Sequence, residues 1–324
     1  MERIARIERT GGPEVINWID TELPPPGPGE VRMRNTAVGL NFIDVYFRTG
    51  LYPMALPGGL GGEAAGVIEA LGEGVEGFAV GDRVATFGPA LGTYSTARNV
   101  RAETLFKLPD DIADETAAAA LLKGGTAEFL IERCAKVRPG WTVLVHAAAG
   151  GVGQIAVRWL KAIGAEVIAT VGTAEKVALA REAGADHVLL SRQDDIAARV
   201  REITGGEGAD VVLDGVGKAT WKASVASTKR RGLIVSFGNA SGAVEGVNLG
   251  ELARGGSLFV SRPTMFDYYV TPQERAAGFD RLVEMLRSGA VRADIGQRFA
   301  LEDAADAHRA LEAGETTGST ILLP

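Results

Sequence analysis

The chain's 324 residues, 46% apolar and 23% charged, leave room for two domains or one large one, each with a core of its own. A net charge of −7 argues against a broad basic face for nucleic acid, and no run approaches the roughly 18 apolar residues of a transmembrane helix. The one cysteine, Cys134, forbids an internal disulfide and suits the reducing cytoplasm, while the charged start MERIARIERT is unlike a signal peptide.

Up to about residue 122 the chain reads as short strands. Segments 31–38, 64–70 and 81–85 are strand candidates, the first alternating roughly with period two, and turn clusters at 23–29, 57–62 and 72–77 punctuate the region. That texture predicts a small barrel or sandwich. Residues 114–122 open with Asp114 and Glu115 and continue in alanines, a helix with its acids at the positive end.

From Thr126 onward helix and strand alternate. A helix over 129–137 stops at Pro139-Gly140, and a strand over 143–146 follows. Next come helix 154–163, strand 166–171, helix 176–183 with Gly184 as its cap, strand 187–190, helix 194–203 and strand 210–214. A short helix at 224–228 and strands at 232–238 and 257–261 complete the run. The succession predicts a parallel, doubly wound sheet with helices on both faces. Beyond Pro263 the spacing of Phe279, Leu282, Val283 and Leu286 is helical, and 319–323 is a strand able to pair back with the first domain.

The organising stretch is TVLVHAAAGGVG, residues 142–153. An apolar strand passes through three alanines into Gly150, Gly151 and Gly153, and a helical pattern starts at once. A pyrophosphate needs this arrangement: backbone that can be approached closely, and free N–H groups at a helix start. Ala149, Gly150, Gly151 and Val152 are therefore candidate cofactor contacts. The spelling departs from G-x-G-x-x-G, and the same glycines also serve to pack a helix on a strand.

The second strand ends Val171-Gly172-Thr173-Ala174-Glu175-Lys176. NAD-specific sheets place an acid there, roughly 20 residues beyond the glycine turn, to bind the ribose 2′-hydroxyl. Here Gly172 takes the acid's place and Lys176 can reach a 2′-phosphate as a point charge, which favours NADPH over NADH. Lys176 as a solvated residue opening a helix is the alternative, and Glu175 is a competitor for the ribose. Gly172, Thr173 and Lys176 join the candidates.

At this point the chain resembles the NADPH:quinone oxidoreductases of zeta-crystallin type, in the medium-chain dehydrogenase/reductase superfamily. The resemblance rests on GLNFIDVYFRTGLYP, GLGGEAAGVIEALGEGV, GDRV, AALLKGGTAEFL, HAAAGGVG, RRGLIVSFGNASG and SRPT, in that order along nearly the whole chain. It implies an α/β protein with a GroES-like β-barrel catalytic domain over 1–122, an NADPH-binding Rossmann domain over 123–263 and a return to the catalytic domain over 264–324. The substrate would lie in the cleft between the domains. A homodimer would join through the strand near Leu258, Phe259 and Val260.

The superfamily's alcohol dehydrogenases hold a zinc ion with a cysteine and a His-Glu pair. Asn41 stands in place of that cysteine, Gly62-Glu63 replaces the pair, and His146, His187 and His308 are scattered, so no metal is expected. By similarity Asn41, Tyr46 and Tyr52 line the cleft beside the nicotinamide and hold a quinone oxygen through hydrogen bonds. Asn41 equally suits a helix cap, and the two tyrosines equally suit packing in a loop. Thr126 would approach the cofactor or cap a helix. Arg262 would face substrate or cofactor phosphate, or join a surface ion pair, while Phe237 and Gly238 fall on the cofactor side. Ser191 and Gly314 stand where relatives carry a tyrosine and an arginine near the adenosine phosphate, and Arg192 is a substitute cation. The implied activity is NADPH-dependent reduction of a small-molecule quinone or enone by hydride or electron transfer. Enoyl-thioester or alkenal reduction is the alternative, and an NADPH-binding structural or RNA-binding protein a second one.

Overall fold

The computed structural model describes residues 1–88 and 90–324. The chain forms two compact units, Met1–Leu122 with Ala293–Pro324, and Lys123–Arg292. In the first unit β1 (Glu2–Arg6) pairs antiparallel with β2 (Asn17–Thr21). Then follow β3 (Glu30–Leu40), α1 (Phe42–Thr49), β4 (Glu63–Leu71), β5 (Arg83–Phe87), β6 (Ala97–Arg101), β7 (Leu105–Lys107) and α2 (Asp114–Glu128). The second unit holds β8 (Thr142–Val145), α3 (Gly151–Ala162), β9 (Glu166–Val171), α4 (Val177–Glu182), β10 (His187–Leu190) and α5 (Ile196–Ile203). It continues with β11 (Ala209–Asp214), α6 (Trp221–Ser227), β12 (Thr228–Ser236), α7 (Leu249–Arg254), β13 (Phe259–Ser261) and α8 (Pro272–Arg287). The chain closes with β14 (Ile295–Ala300), α9 (Ala304–Glu312) and β15 (Ser319–Leu323).

The first unit's main sheet runs β14-β15-β3-β4-β5-β7, with β6 also paired to β3. The tail strand β15 sets Ile321 opposite Gly39 and Leu322 opposite Val38, as its apolar sequence requires. On the other side of β3, Glu63 falls opposite Gly39. Val31, Met33, Val38, Leu40, Leu60, Ile68 and Val84 form the buried core.

All six strands of the second unit are parallel, in the order β10-β9-β8-β11-β12-β13. Counted from β8 this is the 3-2-1-4-5-6 order of a Rossmann sheet, and the strand order reverses between β8 and β11. Ile168, Leu144, Val212 and Ile234 sit side by side in register across four strands, and each is fully buried. This row explains the continuous apolar strand sequences: both faces are covered, so no polar alternation is needed. Among the described residues no helix is long and apolar enough to cross a membrane.

Several boundaries differ from those the sequence suggested. The helix expected at 114–122 runs on to Glu128 through Gly124 and Gly125, then becomes a π-helical segment, Phe129–Cys134, where an α-helix to residue 137 was expected. Gly124 is tolerated because packing demands it: a Cβ there would lie 2.5 Å from Leu282 Cδ1 on α8. Residues 264–292, expected with the return segment, belong to the second unit. The reason is a set of polar ties from α8 and the segment before it. Arg133 donates to the Tyr268 and Glu274 carbonyls at 3.0 and 3.2 Å, Arg281 bonds Glu132 at 3.0 Å, and the Tyr269 hydroxyl donates to Glu128 at 2.7 Å.

Candidate active site

In the second unit the expected cofactor residues other than Thr126 follow the carboxyl ends of the parallel strands, from β10 at one edge to β12 beyond the reversal of strand order. That is where open α/β sheets bind ligands. Beyond β8 the chain passes through Ala147, at φ +53°, and reaches Gly150, the extended N-cap of α3. No side chain caps α3. The N–H groups of its first turn, from Gly151 to Gly153, therefore have no partner within the helix. The Gly150 N–H is taken by the Ala147 carbonyl at 3.0 Å, and the buried Ala149 gives its carbonyl to Gln154 Nε2 at 2.9 Å. A Cβ on Gly153 would lie 2.4 Å from Ala147 O, so this glycine exists for packing. A Cβ on Gly150 would meet only Ala147 O, at 3.4 Å, so that side of the turn stays accessible. Both readings of the glycine run hold, at different positions.

Around this turn the other strand ends line up. Gly172, just past β9, has nothing within 4 Å of where a side chain would be. Thr173 leads a short 3₁₀ turn, Ala174–Lys176, with Lys176 half-buried at its end. The Glu175 carboxyl is held below its ordinary range by its own N–H and the Thr173 side chain. Ser191 is exposed past β10, its N–H bonded to Val171 O at 2.9 Å. Phe237 follows β12 and its ring lies over Gly215, while Gly238 packs backbone to backbone against the same residue. Asn239 was not anticipated. Its amide nitrogen donates to Gly238 O at 3.0 Å and its oxygen accepts from Arg262 Nη2 at 3.1 Å, which holds the exposed arginine beside the end of β12. Val152 lies in the first turn of α3. Thr126 lies inside α2, which rules out the capping role. These residues fit a dinucleotide: uncapped N–H groups for the pyrophosphate, an open Gly172, and one lysine beside one glutamate at the ribose.

In the first unit a different set comes together. Asn41 is the N-cap of α1, and the Asp44 carboxylate accepts its backbone N–H at 2.9 Å, so the capping alternative is realised. Its side chain nonetheless does something else. Asn41 Nδ2 donates to Glu63 Oε2 at 2.8 Å, and the other Glu63 oxygen accepts the Leu122 N–H at 2.7 Å. Glu63 is wholly buried, and a Cβ on Gly39 would collide with it at 2.2 Å. The carboxylate thus fills the space left by a glycine and turns the Asn41 amide. One amide hydrogen is used on Glu63 and a second remains. Tyr46 is buried within α1, and Tyr52 lies just beyond Gly50, the left-handed cap at φ +83°. The Tyr52 N–H bonds Tyr46 O at 3.0 Å, and the two rings meet edge-on, centroids 5.2 Å apart. Gly314, at φ +71° after α9, occupies a left-handed position that an arginine would resist.

Beneath α1 lies a dense polar cluster. Tyr94 Oη donates to Asp44 Oδ2 at 3.2 Å and meets His308 Nε2 at 2.9 Å, and Arg48 Nη2 bonds Glu312 at 2.7 Å. Asp44, Arg48, Tyr94 and His308 are all completely buried. Burial, and then the Arg48 charge, push the His308 pKa down to about 3.

A catalytic zinc requires three good protein ligands. Both Glu63 oxygens are engaged by N–H groups, Asn41 is an amide, and Cys134 lies in the other unit with its sulfur 3.7 Å from Ser261 Oγ. Among the described residues no three His, Cys, Asp or Glu side chains are grouped to hold a metal. This donor set does not fit the ion.

Comparison with known proteins accords with these features. Residues 27–110 match the alcohol dehydrogenase GroES-like domain, and residues 151–287 match the family described as zinc-binding dehydrogenase. A quinone oxidoreductase of Pseudomonas aeruginosa is 51% identical, over 97% of each chain. The 2-haloacrylate reductase of a Burkholderia species is 42% identical over 100% of this chain and 99% of its own. The crystal structure of Escherichia coli quinone oxidoreductase complexed with NADPH superposes with a TM-score of 0.97 at 45% identity, covering 99% of this chain and 100% of that one.

Proposed function

This chain belongs to the quinone oxidoreductase family of the medium-chain dehydrogenase/reductase superfamily, and we propose on that premise that it reduces quinones with NADPH and without a metal. The observation that carries the reading is the uncapped start of α3, placed where the strand order reverses. Bound NADPH supplies the reducing equivalents, as hydride from nicotinamide C4 or as electrons. The first-turn N–H groups of α3 hold the pyrophosphate through charge-assisted hydrogen bonds. Lys176 attracts the 2′-phosphate, with Thr173 and Ser191 beside it, and Phe237, Gly238 and Thr126 border the remainder of the cofactor. Arg262, steadied by Asn239, faces a phosphate or the substrate.

On the first unit, Asn41 donates its second amide hydrogen to the quinone oxygen. The tie to Glu63 holds that amide in place before substrate arrives, so little reorganisation is needed as negative charge grows on the oxygen. Tyr46 and Tyr52 present a rigid aromatic pair for the flat ring, and the Tyr52 hydroxyl or solvent delivers the proton. The Burkholderia relative supports a second reading, reduction of an activated carbon–carbon double bond such as that of a 2-haloacrylate. The same amide donor would then hold the conjugated carbonyl oxygen.

We also place the protein in the cytoplasm as a homodimer. The single cysteine supports the first statement. The exposed apolar pair Phe259 and Val260, on the edge strand β13, supports the second, since an uncovered apolar edge invites pairing with another copy. The deciding experiment is NADPH oxidation against a panel of quinones, 2-haloacrylates, enones and enoyl thioesters, with NADH in parallel. Turnover with quinones and NADPH is the expected result. Turnover confined to the 2-haloacrylates, enones or enoyl thioesters establishes the second reading, and no oxidation by any acceptor overturns both.

A further inference from the structure

One buried ionisable side chain at the cofactor end has no part in the chemistry above. His146 follows β8 directly, is 3% exposed, and bonds its N–H to Leu213 O at 3.1 Å. Its ring bridges two hydroxyls, with Nδ1 3.0 Å from Thr170 Oγ1 on β9 and Nε2 3.1 Å from Ser224 Oγ on α6. Ser224 Oγ in turn donates to Asp214 Oδ2, at the end of β11, at 2.7 Å. Asp214 is fully buried and accepts further bonds from the Val216 and Gly217 N–H groups at 2.9 and 3.0 Å and from Thr220 Oγ1 at 2.7 Å.

The proton positions in this chain follow from chemistry. A carboxylate only accepts, so the single Ser224 hydrogen points at Asp214. The Ser224 oxygen must then accept from His146, which places the ring hydrogen on Nε2. Nδ1 is left as an acceptor for the Thr170 hydroxyl. Burial disfavours a second proton on the ring, against a smaller opposing pull from Asp214. The result is one fixed chain of hydrogen bonds running from Thr170 on β9 through the neutral His146 ring and Ser224 to the Asp214 carboxylate at the end of β11, spanning the point where the strand order reverses.

What the chain holds still is the next residue. Ala147 is left-handed at φ +53°, a conformation an alanine keeps only when its surroundings impose it. The Ala147 carbonyl accepts the Gly150 N–H, and it is the atom that a Cβ on Gly153 would strike. The direction of this one peptide therefore sets both where α3 begins and how its first turn seats.

We propose that His146 is a positioning residue for the dinucleotide: clamped between Thr170 and Ser224, it imposes the Ala147 turn that aims the first-turn N–H groups of α3 at the pyrophosphate. The inference rests on the reading that this turn binds NADPH.

Three variants test it: His146→Leu removes both bonds, His146→Gln restores one, and Thr170→Val removes one with little change of shape. NADPH affinity is measured by calorimetry, and kcat and KM with a quinone acceptor are measured beside it. For His146→Leu we expect NADPH affinity and its KM to worsen about tenfold or more while kcat falls less than about threefold, with His146→Gln and Thr170→Val lying between it and the wild type. A second readout needs no cofactor: histidine nitrogen NMR of the free protein should show His146 as the neutral Nε2–H tautomer, where Thr170→Val shifts the Nδ1 resonance. A role confined to folding would lower the melting temperature without moving affinity. If the wild type binds NADPH and the folded variants bind it equally well, or if the hydrogen resides on Nδ1, the inference is overturned. A wild type that fails to bind NADPH overturns the cofactor reading first and this inference with it. Should His146→Leu not fold, Thr170→Val alone decides.

Discussion

The candidate sites of the two units are built from different materials. The second unit offers backbone: uncapped N–H groups, a left-handed alanine, an open Gly172, and a close Gly215–Gly238 contact. The first unit offers side chains: Asn41 turned by Glu63, the paired rings of Tyr46 and Tyr52, and below them the buried Asp44–Tyr94–His308 cluster with Arg48 and Glu312 nearby. A backbone site is exact about volume and indifferent to most side-chain chemistry. A side-chain site is sensitive to charge and proton position. One should fail when a methyl group is added, the other when a proton is.

The proton has the largest expected effect. The His308 pKa lies near 3 in the folded protein, against an ordinary 6.5. Between those values the unfolded chain binds a proton that the folded chain refuses. The stabilisation is therefore complete above pH 6.5 and is lost as pH falls toward 3, by a total of about 5 kcal/mol. Denaturant unfolding as a function of pH should show this slope, and His308→Gln should flatten it. Equal slopes in the two proteins would mean that the cluster beneath α1 is not what makes the first unit acid-sensitive.

Next in size is the methyl group. A side chain at residue 153 would lie 2.4 Å from Ala147 O and 2.7 Å from Ala148 Cα, both backbone atoms that cannot step aside. Gly153→Val should cost about 3 kcal/mol in denaturant unfolding and should abolish NADPH binding. Wild-type stability in this variant would show that the turn is pliant and would erase the contrast.

Asn41→Ala probes the side-chain site itself. It removes the donor proposed for the quinone together with the hydrogen bond from Asn41 to Glu63 Oε2. A loss of about 100-fold in kcat/KM for the quinone is expected from one preorganised donor. A change confined to stability would assign Asn41 to α1 capping alone. The smallest effect belongs to Lys176→Ala, which should reduce the preference for NADPH over NADH by about tenfold, the worth of one partly screened charge. Glu175, its carboxyl held below the ordinary range next to Lys176, would oppose a 2′-phosphate bound there. Unchanged selectivity would move the phosphate contact to another residue.

Elements with a strong apolar rhythm were legible from residues alone. Strands 166–171 and 187–190 match the observed bounds, and the tail at 319–323 pairs with β3 as expected. Legibility failed where a neighbour distant in sequence decides. The π-helical segment after Glu128 and the start of β12 at Thr228 have no local signature. The glycine turn could be located, yet which glycine serves packing and which serves access depends on the Ala147 carbonyl. Asn239 as the support for Arg262, and Thr170 and Ser224 as the partners of His146, left no trace in spacing.

By itself the sequence determined the order of elements and the parallel sheet with its strand–turn–helix. Periodicity and side-chain chemistry are local properties, and they suffice for these. The tertiary structure alone decided that Glu63 turns Asn41, that His146 is bonded at both nitrogens, and that residues 264–292 join the second unit. Each of those depends on atoms from segments 22 to 141 positions apart meeting within hydrogen-bond distance, as in Asn41–Glu63, His146–Ser224 and Arg133–Glu274. Only the packing of helices and strands in the folded chain brings such atoms together.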